Sequence, residues 1–283
     1  MAFRTDLAVE LLENLRESGK IEGVTETEYE REGLHIHEAE ITGEDAARRL
    51  GRSCGRYVTL SLAALTAREE EAFPRSVRVL AALIRTLLPP LPKDAPVLVA
   101  GLGSRAVTPD AVGPEALRNL IVTRHLKRTM PEVFAPFSTV SAIAPGVLGT
   151  TGMESAELLA AAVRQIQPDA VIAVDAVASC EPERLCAAVQ LSTAGITPGS
   201  GVGNARAAID RTTLGVPVLA IGVPTVMDLG GRRMKDGTIP AGMILTPRDI
   251  DAKIKLLGRW IGLGIDLALH EGLDVETAEC FLA

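Results

Sequence analysis

The sequence predicts an α/β fold: a largely parallel sheet with helices on both faces, plus a smaller N-terminal β-rich part. Three observations carry this. The runs PVLVAGL, STVSAIAP, AVIAVDAVA and VPVLAIGV are almost continuously apolar and rich in Val, Ile and Ala, as strands buried on both faces are. Segments with helical spacing separate them, the alternation that builds parallel sheets. The stretch GVTETEYEREGLHIHEAEIT instead alternates and is polar, which suits exposed antiparallel strands with a turn at Gly33. The 283 residues read as one domain, 1–283, with a β-rich excursion at about 20–65 and a flexible polar loop, GGRRMKDGTIPAG, at about 230–242.

Taken in order, Leu7, Leu11, Leu12 and Leu15 give a helix over 5–17, ended by Gly19. The polar hairpin follows. His35 and His37 share one of its faces, and their spacing admits a common metal, although no cysteine or further histidine is near and a plain strand pair accounts for them. YVTLSLAAL reads as a strand, 69–88 as a helix kinked near Pro74, and PVLVAGL as a buried strand. The alternation continues with helix 113–128, strand STVSAIAP, helix 153–167, strand AVIAVDAVA, helix 181–189, strand VPVLAIGV, and a long helix from Pro247 to about His270.

Composition removes several classes of function. The chain is 47% hydrophobic and only 3% aromatic, enough for a large aliphatic core. With 29 basic against 36 acidic residues its net charge is −7, and no Lys/Arg stripe is present to track phosphates, so direct nucleic-acid binding is not expected. MAFRTDLAVELLENL lacks the unbroken apolar core of a signal peptide, and no segment reads as a membrane span, which gives a cytoplasmic expectation with no membrane partner. Cys54, Cys180, Cys186 and Cys280 are too scattered for a disulfide framework or a zinc knuckle.

GLGSRA, which follows the strand PVLVAGL, matches the glycine pattern of dinucleotide folds. In those folds the helix begins within the motif and runs on. Here Thr108 and Pro109 interrupt the second turn, and the acidic residue due about 20 positions later is replaced by TRHLKR. GSGVGN at 199–204 lacks the Lys-Ser or Lys-Thr of a phosphate-binding loop. A nucleotide-binding oxidoreductase therefore stays a secondary reading. The other reading is that the loop presents Asp110 at the carboxyl end of a strand, where ligands of parallel sheets collect. Asp175 interrupts an otherwise apolar strand, and a carboxylate there needs a partner, a hydrogen bond or a cleft. It either caps helix 181–189 or meets Asp110 across a cleft. In the second case the two titrations separate, so that one carboxylate deprotonates a water while the other, protonated, donates to the substrate.

RTDLAVE, VTPDAVGP, LIVTRHL, VSAIAPGVLGTTGMES, VIAVDAVAS, TAGITPGSGVGN, LGVPVLAIGVPTV, TPRDID and ALHE occur in one order over most of residues 4–270. In these motifs the chain resembles the spore germination protease family, endopeptidases that degrade the small acid-soluble proteins of bacterial spores. The resemblance implies a core related to the hydrogenase maturation proteases, no cofactor, a homotetramer, a cytoplasmic setting in the spore core, and an aspartic-type mechanism carried by Asp110 and Asp175. It departs at GLGSRA, where the family has an Asn and a Trp, and after Ser179, where Cys180 and Glu181 replace an Arg. The implied cleavage follows an acidic residue and precedes an apolar residue and Ala, which asks for a cationic pocket. Arg105, Arg124 and His125 are the candidates, with Lys127 and Arg128 more simply read as solvated charge. Gly199, Ser200, Gly201 and Gly203 suit a loop that lets an extended peptide approach. The family is made as a zymogen, and Asp6, Leu7 and Ala8 match its cleavage preference, so self-cleavage between Asp6 and Leu7 is expected beside an ordinary role for Asp6 in the first helical turn. A relative that keeps the fold but only binds its partner is the remaining alternative.

Overall fold

The structure is a computed structural model. It describes residues 4–16, 21–92, 94–229, 233–234, 237–240 and 242–282. A nine-stranded sheet organises them, in the order β1-β2-β3-β7-β8-β6-β4-β5, with β11 added to β8. Helix α1 (Ala8–Arg16) precedes the hairpin of β1 (Val24–Arg31) and β2 (Leu34–Ile41). Glu32 and Gly33 close that hairpin at φ +50° and +72°, the paired positive values of a tight turn matched to strand twist. After α2 (Glu44–Leu50), β3 (Gly55–Ser61) pairs with β2 on one side and with β7 (Ala188–Ser192) on the other. The β-rich part expected at 20–65 is therefore continuous with the main sheet.

The parallel core is β5 (Thr139–Gly146), β4 (Pro96–Leu102), β6 (Ala170–Ala178) and β8 (Val218–Asp228). Side chains alternate across it. Val97, Val99, Ile172 and Val174 join one core and Leu98, Ala100, Val171 and Ala173 the other. The first core is covered by α4 (Ala72–Leu87, reached through the short α3, Ala63–Thr66), by α5 (Val112–Arg118) and by α11 (Ile250–Leu269). Trp260 of α11 is fully buried there and donates its indole N–H to Ser76 Oγ at 2.9 Å. The second core is covered by α9 (Ser155–Ile166), which follows α8 (Leu148–Thr151), and by α10 (Arg211–Leu214). The mainly parallel α/β architecture is thus the one the sequence predicts.

Several local expectations are corrected. Helix 5–17 begins at Ala8, so Asp6 lies outside its first turn. Pro74 sits in the first turn of α4, where its missing N–H costs nothing, and no kink is needed. Helix 113–128 is two pieces, α5 and α6 (Arg124–Thr129), with the short α7 (Pro131–Phe134) beyond. The break is sealed by buried Asp266 of α11, whose carboxylate accepts from the Ile121 N–H at 3.0 and 3.2 Å. Helix 181–189 does not exist: Pro182–Arg184 is one 3-10 turn, and the following residues are drawn into β7 by pairing with β3 and β8. Asp175 therefore has no such helix to cap. Within 230–242, β9 (Arg233–Met234) pairs with β10 (Gly237–Thr238), and residues 230–232, 235–236 and 241 lie outside the described residues. β11 (Ile244–Leu245) and a terminal helix, α12 (Val275–Leu282), complete the chain.

Candidate active site

β4 ends at Leu102, and the backbone turns at Gly103 with φ +98°, where glycine is favoured. A Cβ on Gly103 would lie 2.0 Å from the Asp110 carbonyl oxygen and 2.9 Å from Asp110 Oδ1. The Ser104 N–H donates to that carbonyl at 3.1 Å, and Thr108–Asp110 forms a 3-10 turn with Pro109 inside it. GLGSRA is thus wrapped around its own aspartate. The space beside the second glycine that a pyrophosphate would need is filled by Asp110.

Asp175 lies on the neighbouring strand β6, opposite Gly222 of β8, and is 4% exposed. Its Oδ1 accepts from the Ala176 N–H at 2.9 Å. Both carboxyls line one cleft of about 440 Å³ at the carboxyl ends of the parallel strands. The chain passes from β4 to β5 on one side and returns to β6 on the other, and such a reversal in strand order is where a crevice opens. Burial raises the Asp110 pKa to about 6, opposed by a backbone hydrogen bond from Ser104. Asp175 is raised well above the usual carboxylate range, first by burial and then by the charge of Asp110. Both shifts favour the protonated forms, more strongly at Asp175, so the two carboxyls titrate apart. Such a pair can take a proton from water and give one to a leaving group.

A third carboxylate enters the same cleft from the N-terminal segment. The Asp6 N–H donates to the Ala178 carbonyl and the Ala178 N–H to Asp6 Oδ2, both at 2.9 Å. Ser200 Oγ donates to Asp6 Oδ1, and Arg52 Nη2 lies 3.6 Å from that oxygen. Leu7 is fully buried, in a small cluster with Val9 and Val177. Val177 shares its face of β6 with Asp175, two residues back, so the Asp6–Leu7 bond lies along the edge of the aspartate cleft. Glu10, 1% exposed, anchors the segment: it accepts from Thr5 Oγ1, from Ser179 Oγ and from the Cys180 N–H (2.8 Å), and Arg184 Nη1 stands 3.3 Å away.

The other candidates separate. Gly199 borders the cleft, Ser200 lines the neighbouring pocket together with Arg52 and Asp6, and Gly201 packs directly against the Asp6 carboxylate. Arg105 is exposed, 3.7 Å from Glu115, and does not line the cleft. Arg124 and His125 start α6 just after Thr123, whose N–H bonds the Val140 carbonyl at the first turn of β5, so they lie at the amino ends of the parallel strands, across the sheet from the cleft. Lys127 pairs there with Asp94 at 2.9 Å. The cause is the break after α5, which turns the chain at the far edge. His35 and His37 face Glu28 and Glu26 at 3.7 and 3.0 Å rather than sharing a ligand. Among the described residues no group of three or more His, Cys, Asp or Glu is arranged to hold a metal ion. Burial pushes the Cys180 and Cys186 thiols up to about 12 and about 11, so neither supplies a thiolate near neutral pH. Arg52 and buried Thr225, which lines the cleft, were not singled out from sequence. An arginine in LGRSCGR has no local pattern that marks it, and its meeting with Asp6 exists only in three dimensions.

Comparison with known proteins decides the family. The germination protease family model matches residues 5–239. The chain belongs to the germination protease family. It is 39% identical to the germination protease of Caldanaerobacter subterraneus subsp. tengcongensis, over 96% of each chain. It is 36% identical to that of Clostridium perfringens, strain ATCC 13124, over 99% of this chain and 98% of the relative. With the germination protease of Priestia megaterium the identity is 45%, over 80% of this chain and 64% of the relative. The family match runs from the N-terminal segment through both aspartate motifs, and of the residues that line the cleft only Ile244 of β11 falls outside it. No helix among the described residues is long and apolar enough to cross a membrane.

Proposed function

We propose that this germination protease is an endopeptidase that degrades small acid-soluble spore proteins, with Asp110 and Asp175 activating water against the peptide bond. The observation that carries the reading is the meeting of a buried and a half-buried carboxyl, both with raised pKa values, in one cleft outside the strand ends. Ionised Asp110 accepts a proton from water as it attacks the substrate carbonyl, and Asp175 holds the proton that the departing amine needs. Cleavage falls after an acidic residue and before an apolar residue followed by Ala. No cofactor enters this scheme. The cytoplasm of the spore core and a homotetrameric assembly follow from the family resemblance, and light scattering on the purified protein checks the assembly.

Incubation with a small acid-soluble spore protein, followed by mass mapping of the fragments, tests the reading. Wild type is expected to yield fragments ending in Asp or Glu. Asp110→Asn and Asp175→Asn, which keep the shape but not the titration, should each lower the rate by at least about a thousandfold with the fold intact. Undiminished cleavage by either folded variant would refute the paired mechanism.

A further inference from the structure

We infer that Arg52, together with Ser200 and the Ala178 amide, forms the subsite that selects an acidic side chain on the amino side of the cleaved bond. This rests on the proposed peptidase reading and adds the residue that determines its specificity. The chain's own Asp6 enters the cleft at a bend just ahead of α1. Its backbone pairs with Ala178 just past Asp175, the apolar Leu7 after it is buried against Val177, and the acidic side chain enters a pocket beside them. In that pocket Asp6 receives hydrogen bonds from Ser200 Oγ and the Ala178 N–H, and the Arg52 guanidinium lies 3.6 Å away.

Three further features fit a recognition pocket. Arg52 Nη2 also donates to the Thr5 carbonyl at 2.5 Å, so one guanidinium reads both the backbone ahead of the acid and the acid itself. Arg52 Nε is buried with no hydrogen-bond partner, leaving a donor for a side chain that reaches further than aspartate. The floor is Gly201, where an added Cβ would stand 2.2 Å from Asp6 Oδ2, so the pocket exists only because that residue lacks a side chain. A cation in this place favours Asp or Glu and opposes Lys or Arg. Asn meets the same hydroxyl and amide but gains nothing from the guanidinium.

The test uses the full chain and two peptides, Phe-Arg-Thr-Asp-Leu-Ala-Val-Glu and its Asn counterpart at the fourth position. Wild type is expected to cut the Asp peptide with at least about tenfold higher kcat/KM. Arg52→Gln should reduce that ratio to within about threefold, and Arg52→Lys should restore much of it. An Asp preference that survives in folded Arg52→Gln overturns the assignment. A second arm needs no hydrolysis: hydrogen exchange of residues 4–10 is followed in full-length Asp110→Asn with excess peptide. The Asp peptide, competing for the pocket, should speed exchange of the chain's own segment, whereas the Asn peptide should not, and equal exchange with both overturns the subsite. Were no peptide cut by wild type, the peptidase reading would fail while this competition still judged the pocket.

Discussion

Asp175 is buried and Asp110 half-buried, and the fold is weakened whenever they ionise. The folded-state pKa of Asp110 is raised from 3.8 to about 6, so the folded chain holds this proton more tightly than the unfolded one. Stability is therefore highest below the lower value and is lost as pH rises through that window. After discounting for its partial exposure, Asp110→Asn should raise the unfolding free energy at pH 7 by about 1–2 kcal/mol, a gain that fades below about pH 4. Urea titrations of both proteins at several pH values check this. A gain independent of pH would mean that ionisation is not its source. Stabilisation paired with lost hydrolysis is the expected signature of a carboxylate kept for chemistry.

Helix α1 and helix α11 each carry a buried ionisable group that ties distant parts of the chain together. Glu10 of α1 binds Thr5 on its own side and Ser179, Cys180 and Arg184 after β6. Glu10→Ala leaves those donors and the arginine unpaired in a closed space, so a loss of about 3 kcal/mol is expected in chemical denaturation, with faster hydrogen exchange in residues 4–10. His270 caps the end of α11, 2% exposed, edge-on to Phe137 at 5.1 Å, and burial lowers its pKa to about 4. The unfolded chain takes up this proton first, so stability should decline as pH falls from about 6.5 towards 4. His270→Phe keeps the ring but not the titration, and its stability should fall less between pH 7 and pH 5. A slope equal to wild type would assign the acid sensitivity elsewhere.

For the molecule as a whole, the N-terminal segment enters, through Asp6, the cleft that the sheet opens. Self-cleavage between Asp6 and Leu7 would release Met1 through Asp6 and vacate the pocket beside Arg52, while Leu7 onward stays held by its burial, by Glu10 and by Gln190, whose side-chain oxygen accepts from the Ala8 N–H at 2.6 Å. Because Asp110 must be ionised to take the proton from water and its pKa is raised to about 6, this step should slow as pH falls below that value. Intact-mass measurement over time is expected to show loss of those six residues in wild type and none in Asp110→Asn. A preparation that cuts substrate with its N-terminus whole would show that the segment leaves the cleft without being cut.

The sequence by itself determined the parallel core, because strands buried on both faces must be apolar throughout, and PVLVAGL and AVIAVDAVA are. It also singled out Asp110 and Asp175, because a carboxylate in or just beyond such a strand is too costly to place without a purpose. Tertiary structure alone decided what local patterns do not encode. Residues 188 and 189, the end of the expected helix 181–189, joined the strand 188–192 because β3 and β8 offered edges on both sides. Arg124 and His125 fell at the wrong end of the sheet because Asp266, 145 residues from the Ile121 amide it accepts from, seals the break before α6. The partners of Asp6, namely Arg52, Ala178 and Ser200, lie 46, 172 and 194 residues from it in sequence. Such distances carry no periodicity, so the pocket arises only when the sheet has formed and drawn its loops to one edge.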